Sequence, residues 1–330
     1  MAGRRRKKSG GRSYAWRYRG RIVACVFVEV IIICALVIMI GWNKGVKEWF
    51  EQFEQPVLKE VDISGINSPN AILMQARGGK ILGEINGEAQ IYPASMTKIM
   101  TVILGIENFD NLDEKITLTN EMFSGLYEQD ATQAGFQPGE EVRVIDLLYG
   151  AMLPSGAECC IALADTISGS ESDFAELMNK KARKLGMENT HFCDSTGLHN
   201  PDHYSTVKDI AVLMKYCIKN DTFREIVETS RHSTGVTNIH PDGITYYSTM
   251  FKNLSDPTVT GGKILGGKTG YTSEAGHCLV SFAEIEGREY IFVSAGASGA
   301  DGNTIPHIQD AVTIYNRVGE AIEEKLNNNQ

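Results

Sequence analysis

No Cys-x-x-Cys pair occurs anywhere in the 330-residue chain, so the ligand spacing of common zinc sites is missing. Two of its seven cysteines, Cys25 and Cys34, lie in an apolar N-terminal run. The other five (Cys159, Cys160, Cys193, Cys217 and Cys278) are odd in number and read as small buried hydrophobes, not as a disulfide framework. The seven histidines offer no metal set either. His199 and His203 are four apart, but Pro201 and Asp202 between them make a turn, so they do not share a helix face. No metal and no cofactor is expected. Repeats and low-complexity tracts are also absent, which excludes solenoid and linker architectures.

Charge is missing in two complementary places. The first 21 residues contain nine Lys or Arg and no Asp or Glu. Beyond them the chain is poor in bases, with 23 against 41 acidic residues, a net charge of −18. Such a surface argues against nucleic acid as a partner. Between arm and body runs Ile22 to Trp42, apolar except for Glu29 and long enough to cross a hydrocarbon core. It ends without an Ala-x-Ala site, which favours a retained transmembrane helix over a cleaved signal peptide. The basic flank keeps residues 1–21 in the cytoplasm. Expected, therefore, is a single-pass cell-membrane protein with residues 43–59 as a juxtamembrane stalk and residues 60–330 outside the membrane.

What is present inside that outer part is a set of short motifs in a fixed order. Ser95-Met96-Thr97-Lys98 comes first, then Pro154-Ser155-Gly156-Ala157, then Lys268-Thr269-Gly270-Tyr271-Thr272. At average composition a Ser-x-x-Lys arises roughly once in such a chain, and Lys-Thr-Gly in about one such chain in ten. Ser205-Thr206-Val207-Lys208 is a second Ser-x-x-Lys with a simpler meaning. Thr206 and Asp209 have capping-box spacing ahead of Ile210, Val212, Leu213 and Met214, so a helix starts there. Ser95 instead follows Tyr-Pro-Ala and precedes an apolar segment that reads as a buried helix. Lys98 then falls one turn on, on the same face. A serine hydroxyl needs a neighbouring base, and a lysine serves if burial and a second cation such as Lys268 lower its pKa. Free N–H groups at the helix start would receive an oxyanion.

The rest of the chain orders itself around these motifs. Ala71 to Ile91 alternates and breaks at Gly78-Gly79 and Asn86-Gly87, as antiparallel strands with tight turns do. Val142 to Gly186 is helical in period, with breaks at Pro154-Ser155-Gly156 and Gly169. Helices are also expected over Thr206 to Lys219 and Thr222 to Glu228. Strands return at Ile244 to Met250, Gly262 to Tyr271, His277 to Ile285 and Glu289 to Ala295, before a last helix at about Ile305 to Lys325. The fold class is α/β of the α+β type, one unit with a mainly helical subdomain at about residues 119–228. Glu158, beside the middle motif, reads as an exposed helix carboxylate, and Gly266 and Gly267 as sites of close backbone approach.

From about residue 60 onward the chain resembles the low-molecular-mass penicillin-binding proteins, the serine D-alanyl-D-alanine carboxypeptidases of peptidase family S11. The motif set is the one associated with penicillin-binding proteins and class A β-lactamases. Asn189-Thr190-His191-Phe192, Ser195-Thr196-Gly197-Leu198, Tyr204-Ser205-Thr206-x-x-Asp209 and Glu274-Ala275-Gly276 add to the likeness. The resemblance implies a β-lactamase/D,D-peptidase-like antiparallel sheet flanked by helices. It implies Ser95 as acylated nucleophile, Lys98 as general base and Ser155 as proton relay. Lys268, Thr269, Gly270, Tyr271 and Thr272 would bind substrate, with the Ser95 and Tyr271 N–H groups as oxyanion hole. The implied partners are peptidoglycan stem peptides ending in D-Ala-D-Ala and β-lactam antibiotics as covalent inhibitors.

Three departures accompany it. Ala157 stands where the middle motif usually has asparagine. Neither Phe251 to Gly262 nor Gly296 to Ile305 contains an arginine. The last helix is acidic, unlike a membrane-binding amphipathic tail. A class A β-lactamase is the enzymatic alternative, but no Glu-x-x-Leu-Asn pattern stands between the middle motif and Lys268. A membrane-tethered wall-binding or penicillin-sensing module is the non-enzymatic one.

Overall fold

The computed structural model describes residues 58–254, 256–299 and 305–328. The basic arm, the apolar span and nearly all of the stalk lie outside the described residues. No helix among the described residues is long and apolar enough to cross a membrane. At the stalk boundary there is a difference from expectation. Leu58 is buried with Val61 and Ile63 in the core, so the folded unit already includes residue 58.

A six-stranded antiparallel sheet forms the centre. Its strands are β1 (Asn70–Gln75), β2 (Ile81–Ile85), β7 (Thr258–Val259), β8 (Gly262–Thr272), β9 (Gly276–Ile285) and β10 (Arg288–Ala297), in the order β2-β1-β10-β9-β8-β7. The middle residues of the central strands β9 and β10 are buried on both faces. Their side chains alternate between two cores. Ile72, Met74, Val280, Phe282, Ile291 and Val293 face the larger helical region. Ala71, Leu73, Leu279, Ala283, Tyr290 and Phe292 face a C-terminal helix, Pro306–Asn328. Burying one such side chain fully contributes roughly 1.5–3 kcal/mol, so a one-residue register slip would transpose two cores at once. The β9–β10 turn holds register with Glu286 and Gly287, both at positive φ (48° and 68°) as a two-residue hairpin requires.

The larger core is built from α1 (Lys98–Asn108), α2 (Val144–Met152), α3 (Ala157–Ser168), α4 (Glu171–Leu185), α5 (Val207–Cys217) and α6 (Asp221–Glu228). Thr206 caps α5 by accepting the Asp209 N–H at 3.0 Å, which accounts for the second Ser-x-x-Lys. Two short two-stranded antiparallel sheets complete this half: β3 (Lys115–Thr117) with β4 (Glu141–Arg143), and β5 (Arg231–Ser233) with β6 (Thr245–Tyr247). The strand expected over Ile244 to Met250 stops at Tyr247. Ser248 accepts the Phe251 N–H and starts a helical turn, α7 (Thr249–Asn253). The C-terminal helix Pro306–Asn328 is α8. Cys159, Cys160, Cys217 and Cys278 are buried free thiols, and Cys193 is half-buried and also free.

Candidate active site

Ser95 and Lys98 span a 3-10 turn, Ala94–Thr97, that leads into α1. Ala94 is held at φ +47°, an uncommon backbone state for a residue with a Cβ. A loop presses on it from outside. A Cβ on Gly197 would lie 1.9 Å from the Ala94 carbonyl oxygen, and Gly197 itself has φ +79°. Only glycine satisfies both conditions. The turn leaves Ser95 half-buried and Lys98 almost fully buried. Lys98 Nζ donates to Ser95 Oγ at 3.0 Å and to the Thr196 carbonyl at 2.7 Å. Burial lowers the Lys98 pKa, against the opposing pull of Cys160, Asp194 and Glu158.

Behind Lys98 stands a network that the sequence did not announce. Asp194 Oδ1 accepts from Thr196 N, Thr196 Oγ1 and Gly197 N, each at 2.7 Å. Its Oδ2 lies 3.2 Å from His203 Nδ1, and His203 Nε2 lies 2.9 Å from Thr97 Oγ1. Thr101 Oγ1 donates to the Ser195 carbonyl at 2.6 Å. Burial pushes the Asp194 carboxyl up, but His203, Thr196 and Gly197 outweigh it and hold the pKa at about 2. Thus the carbonyl that Lys98 grips is fixed by a charged anchor. Asp194 and His203 are nine residues apart across a turn, a spacing with no helix or strand period to reveal it.

Ser155 arrives from the other side, on the break between α2 and α3. It too has positive φ (+73°). Backbone strain of this kind costs on the order of 1–3 kcal/mol per residue and persists only where the surroundings over-determine it. Here the Gly156 N–H donates to the Gly150 carbonyl and the Ala157 N–H to the Thr132 carbonyl, both at 2.8 Å. Ala157 is buried, so its methyl packs inward. Glu158 corrects the expectation of an exposed carboxylate: it is completely buried. Its Oε1 accepts from Ala134 N (2.6 Å) and Gly135 N (3.0 Å), tying down the loop that carries Asp130 and Thr132. Burial raises its pKa, and its Oε2 has no hydrogen-bond partner. Cys160, one turn on, donates its Sγ to the Gly156 carbonyl; burial pushes its pKa up to about 12, so it stays a thiol.

β8 closes the third side. Beyond Lys263, no described strand pairs with β8 on the side away from β9. A Cβ on Gly270 would sit 3.0 Å from Ser95 N, so this strand edge passes directly over the serine. Gly266 and Gly267 are also close approaches, with Cβ positions 2.3 Å from Val227 O and 2.5 Å from Val280 O. Lys268 is 1% exposed and donates its Nζ to the Thr269 carbonyl at 2.8 Å. Burial holds its pKa well below the usual lysine range, and the Lys98 charge adds to that. Thr269 Oγ1 lies 2.7 Å from Thr249 Oγ1. Tyr271 is exposed and its ring rests 4.7 Å from that of His277. Thr272 stands apart, because its hydroxyl accepts the Ala275 N–H at 3.0 Å and closes the β8–β9 turn.

Ser95, Ser155, Thr269, Gly270 and Tyr271 line one open cleft of about 410 Å³. Lys98 and Lys268 lie beneath its floor and Thr272 outside it. Asp130, Thr132, Thr249, Asn253, His277 and His307 complete much of the wall. Among the described residues, no arginine or lysine lines this cleft. Among the described residues no cluster of three or more His, Cys, Asp or Glu could hold a metal ion.

Residues 57–299 match the model of the peptidase S11 family, described as D-alanyl-D-alanine carboxypeptidase. The chain is 35% identical over 233 residues to the D-alanyl-D-alanine carboxypeptidase DacF of Bacillus subtilis, covering 69% of this chain and 57% of that protein. It is 37% identical over 231 residues to the D-alanyl-D-alanine carboxypeptidase of Streptomyces sp. K15, covering 67% and 77%. The crystal structure of the Streptomyces K15 DD-transpeptidase superposes with a TM-score of 0.69 at 30% identity, covering 79% of this chain and 100% of that one. Against DacF and the Escherichia coli relatives DacC and DacD, the chain spans 57–60% of their length. With the family model matched across most of the described fold, this chain belongs to the D-alanyl-D-alanine carboxypeptidase family, peptidase S11.

Proposed function

We propose that this chain is a serine D,D-carboxypeptidase that removes the terminal D-alanine from peptidoglycan stem pentapeptides. The observation that carries the proposal is the 3.0 Å contact between Lys98 Nζ and Ser95 Oγ, at the floor of a cleft bounded by Ser155 and the β8 edge. Two buried amines, Lys98 and Lys268, repel each other's charge, so one of them gives up its proton readily. An uncharged Lys98 accepts the Ser95 proton as Oγ attacks the carbonyl carbon of the penultimate D-alanine. The oxyanion forms against the Ser95 and Tyr271 N–H groups. The peptide C–N bond then breaks as the proton taken up by Lys98 passes through the Ser155 hydroxyl to the departing amine, and free D-alanine leaves. Water hydrolyses the Ser95 ester and returns the proton through Lys98. Thr269 and Gly270 on the β8 edge align the substrate, Lys268 adds charge from beneath, and the Thr272 hydroxyl braces the strand end. β-Lactams acylate the same Ser95 oxygen.

The same proposal holds the enzyme at the cell membrane through residues 22–42. The basic arm stays cytoplasmic and the catalytic domain lies outside. The supporting features are the nine basic residues of the arm, the apolar run and the acidic body. The test uses full-length protein in detergent, a diacetyl-lysyl-D-alanyl-D-alanine tripeptide and a fluorescent penicillin. Expected are release of D-alanine and a stable covalent label, both lost in Ser95→Ala and in Lys98→Ala. Rapid penicillin turnover, labelling without D-alanine release, or full activity in Ser95→Ala would each defeat the proposal.

A further inference from the structure

A carboxypeptidase substrate ends in a free carboxylate, and an anion in a partly desolvated cleft needs a cation or N–H donors facing it. The described wall of this cleft supplies no Lys or Arg, and the Lys268 amine is buried and already donating to the Thr269 carbonyl. The hydroxyls of the wall and the Asn253 amide, which donates to the Thr249 carbonyl, are neutral, and Asp130 has the wrong sign. Two imidazoles are the only described groups lining the cleft that can become cationic. His277 is the cross-strand partner of Tyr271 and stacks between it and His307. The His277 and His307 rings are parallel within 4°, with centroids 5.0 Å apart. His307 is 5% exposed, and its Nδ1 has no hydrogen-bond partner. The unpartnered Nδ1 of the buried His307 is uncommon for a buried polar group, while His277 is half-buried at the cleft wall. The nearest carboxylate on α8, Asp310, is occupied by Asn67 and Ser68, whose N–H, amide and hydroxyl groups donate to both its oxygens.

Resting on the carboxypeptidase reading, we propose that the stacked pair His277–His307 is the specificity-determining element for the substrate's terminal carboxylate. His277 touches the carboxylate beside Thr269 and Tyr271. His307 acts through it, as a positioning residue that holds the ring plane and shares the incoming charge. Burial lowers the pKa of both rings, and for His307 the neighbouring His277 lowers it further, to about 4, with Asp310 pulling the other way. The unliganded pair is therefore uncharged near neutrality. A docked anion favours the protonated form, so binding takes up a proton and tightens as pH falls. The titratable groups facing the pair are Tyr271 from β8, Asp130 from the opposite wall and Asp310 from the helix of His307. Gly299 supports the geometry from the loop after β10: a Cβ there would lie 2.7 Å from His277 Nε2.

Binding is to be measured on full-length Ser95→Ala protein in detergent, with the diacetyl-lysyl-D-alanyl-D-alanine acid and its C-terminal amide. The acid is expected to bind about tenfold more tightly than the amide, a preference erased by His277→Ala and largely erased by His307→Ala. Acid binding should tighten several-fold from pH 8 to pH 5.5 while amide binding stays level, and His277→Gln should flatten the acid curve. In proteins with Ser95 intact, the same histidine substitutions should raise KM for the acid and leave kcat within about twofold. An unchanged acid-to-amide ratio in both histidine variants, or equal binding of acid and amide by the parent, overturns the assignment. Failure of the carboxypeptidase reading would appear separately, as absent D-alanine release from the parent enzyme.

Discussion

The two sides of the cleft treat buried polar groups in opposite ways. Behind Lys98 nearly every donor and acceptor is matched: Asp194 takes three donors on one oxygen and His203 on the other, and His203 reaches on to Thr97. Around the rest of the cleft, Glu158 Oε2 behind Ser155 and His307 Nδ1 beside β9 are left without partners. Matched networks in a low-dielectric interior fix a single geometry. The nucleophile and its base sit on the matched side, where two atoms must be held 3.0 Å apart before substrate arrives. The unmatched groups form a reserve: an acceptor oxygen on Glu158 and, in the proposal above, an imidazole that a ligand carboxylate completes. A buried unpaired polar group costs about 1–3 kcal/mol, so that reserve is maintained at the expense of stability.

The largest break in this contrast comes from Gly197→Ala. The new Cβ would meet the Ala94 carbonyl at a position 1.9 Å away, on a backbone with φ +79°. Both the Thr196 carbonyl and the Ser95 turn must then move. Expected is a loss of about 3–5 kcal/mol in urea unfolding and a fall of two orders of magnitude or more in fluorescent-penicillin acylation. Ordinary stability with ordinary labelling would show that the matched side tolerates displacement.

Acid titration separates the two sides. The folded-state pKa of His307, about 4, lies below the unfolded value near 6.5. Its uncharged form therefore stabilises the fold above pH 6.5, and that contribution is lost as pH falls through 6.5 towards 4, by about 3 kcal/mol. His307→Phe keeps an aromatic ring against His277 but cannot be protonated. Relative to the parent, the variant should gain about 3 kcal/mol between pH 7 and pH 4. Parallel stability curves would mean His307 is not held uncharged. Asp194 titrates lower. With its pKa depressed to about 2, it stabilises above the unfolded value near 3.9 and loses that support as pH falls through it. Asp194→Asn should cost about 2 kcal/mol at pH 7, slow acylation, and remove the acid step between pH 4 and pH 2. An Asn variant as stable and as fast as the parent would remove Asp194 from the support of Lys98.

How much of this was legible in the sequence depended on whether a residue's partner was local. Ser95 and Lys98 were legible because a helical turn brings i and i+3 together. Thr206 was legible as a cap for the same reason. The strands at Ala71 to Ile91 and beyond Gly262 were legible as strands, but the two cores were not, because β9 and β10 bury both faces. What stayed hidden was decided by contacts across long separations. Glu158 read as exposed because it stands in the first turn of a helix. It is buried because the Ala134 and Gly135 N–H groups, more than twenty residues earlier, converge on it. Asp194 with His203, and His277 with His307, join elements whose proximity only the assembled sheet and helices create. Ser248 to Asn253 misled in another way, since a short capped turn overrode the β-favouring residues that followed Tyr247.

The smallest expected effect tests whether the far side's open positions are alike. Glu158 Oε1 is used by two loop N–H groups and Oε2 by none, while burial raises the pKa of the carboxyl. A glutamine there keeps the accepting oxygen and replaces the idle one with NH₂. It also removes the chance of burying a charge. Glu158→Gln should therefore change stability by no more than about 1 kcal/mol, and acylation by no more than about twofold. Glu158→Ala should cost about 2–4 kcal/mol, because it strands both the Ala134 and the Gly135 N–H. Urea midpoints and labelling rates for the pair give the answer. If Gln is as damaging as Ala, Oε2 has a partner as specific as the one proposed for the histidine pair. If Gln is silent, the open Glu158 oxygen is spare, and the histidines alone hold donors for a ligand.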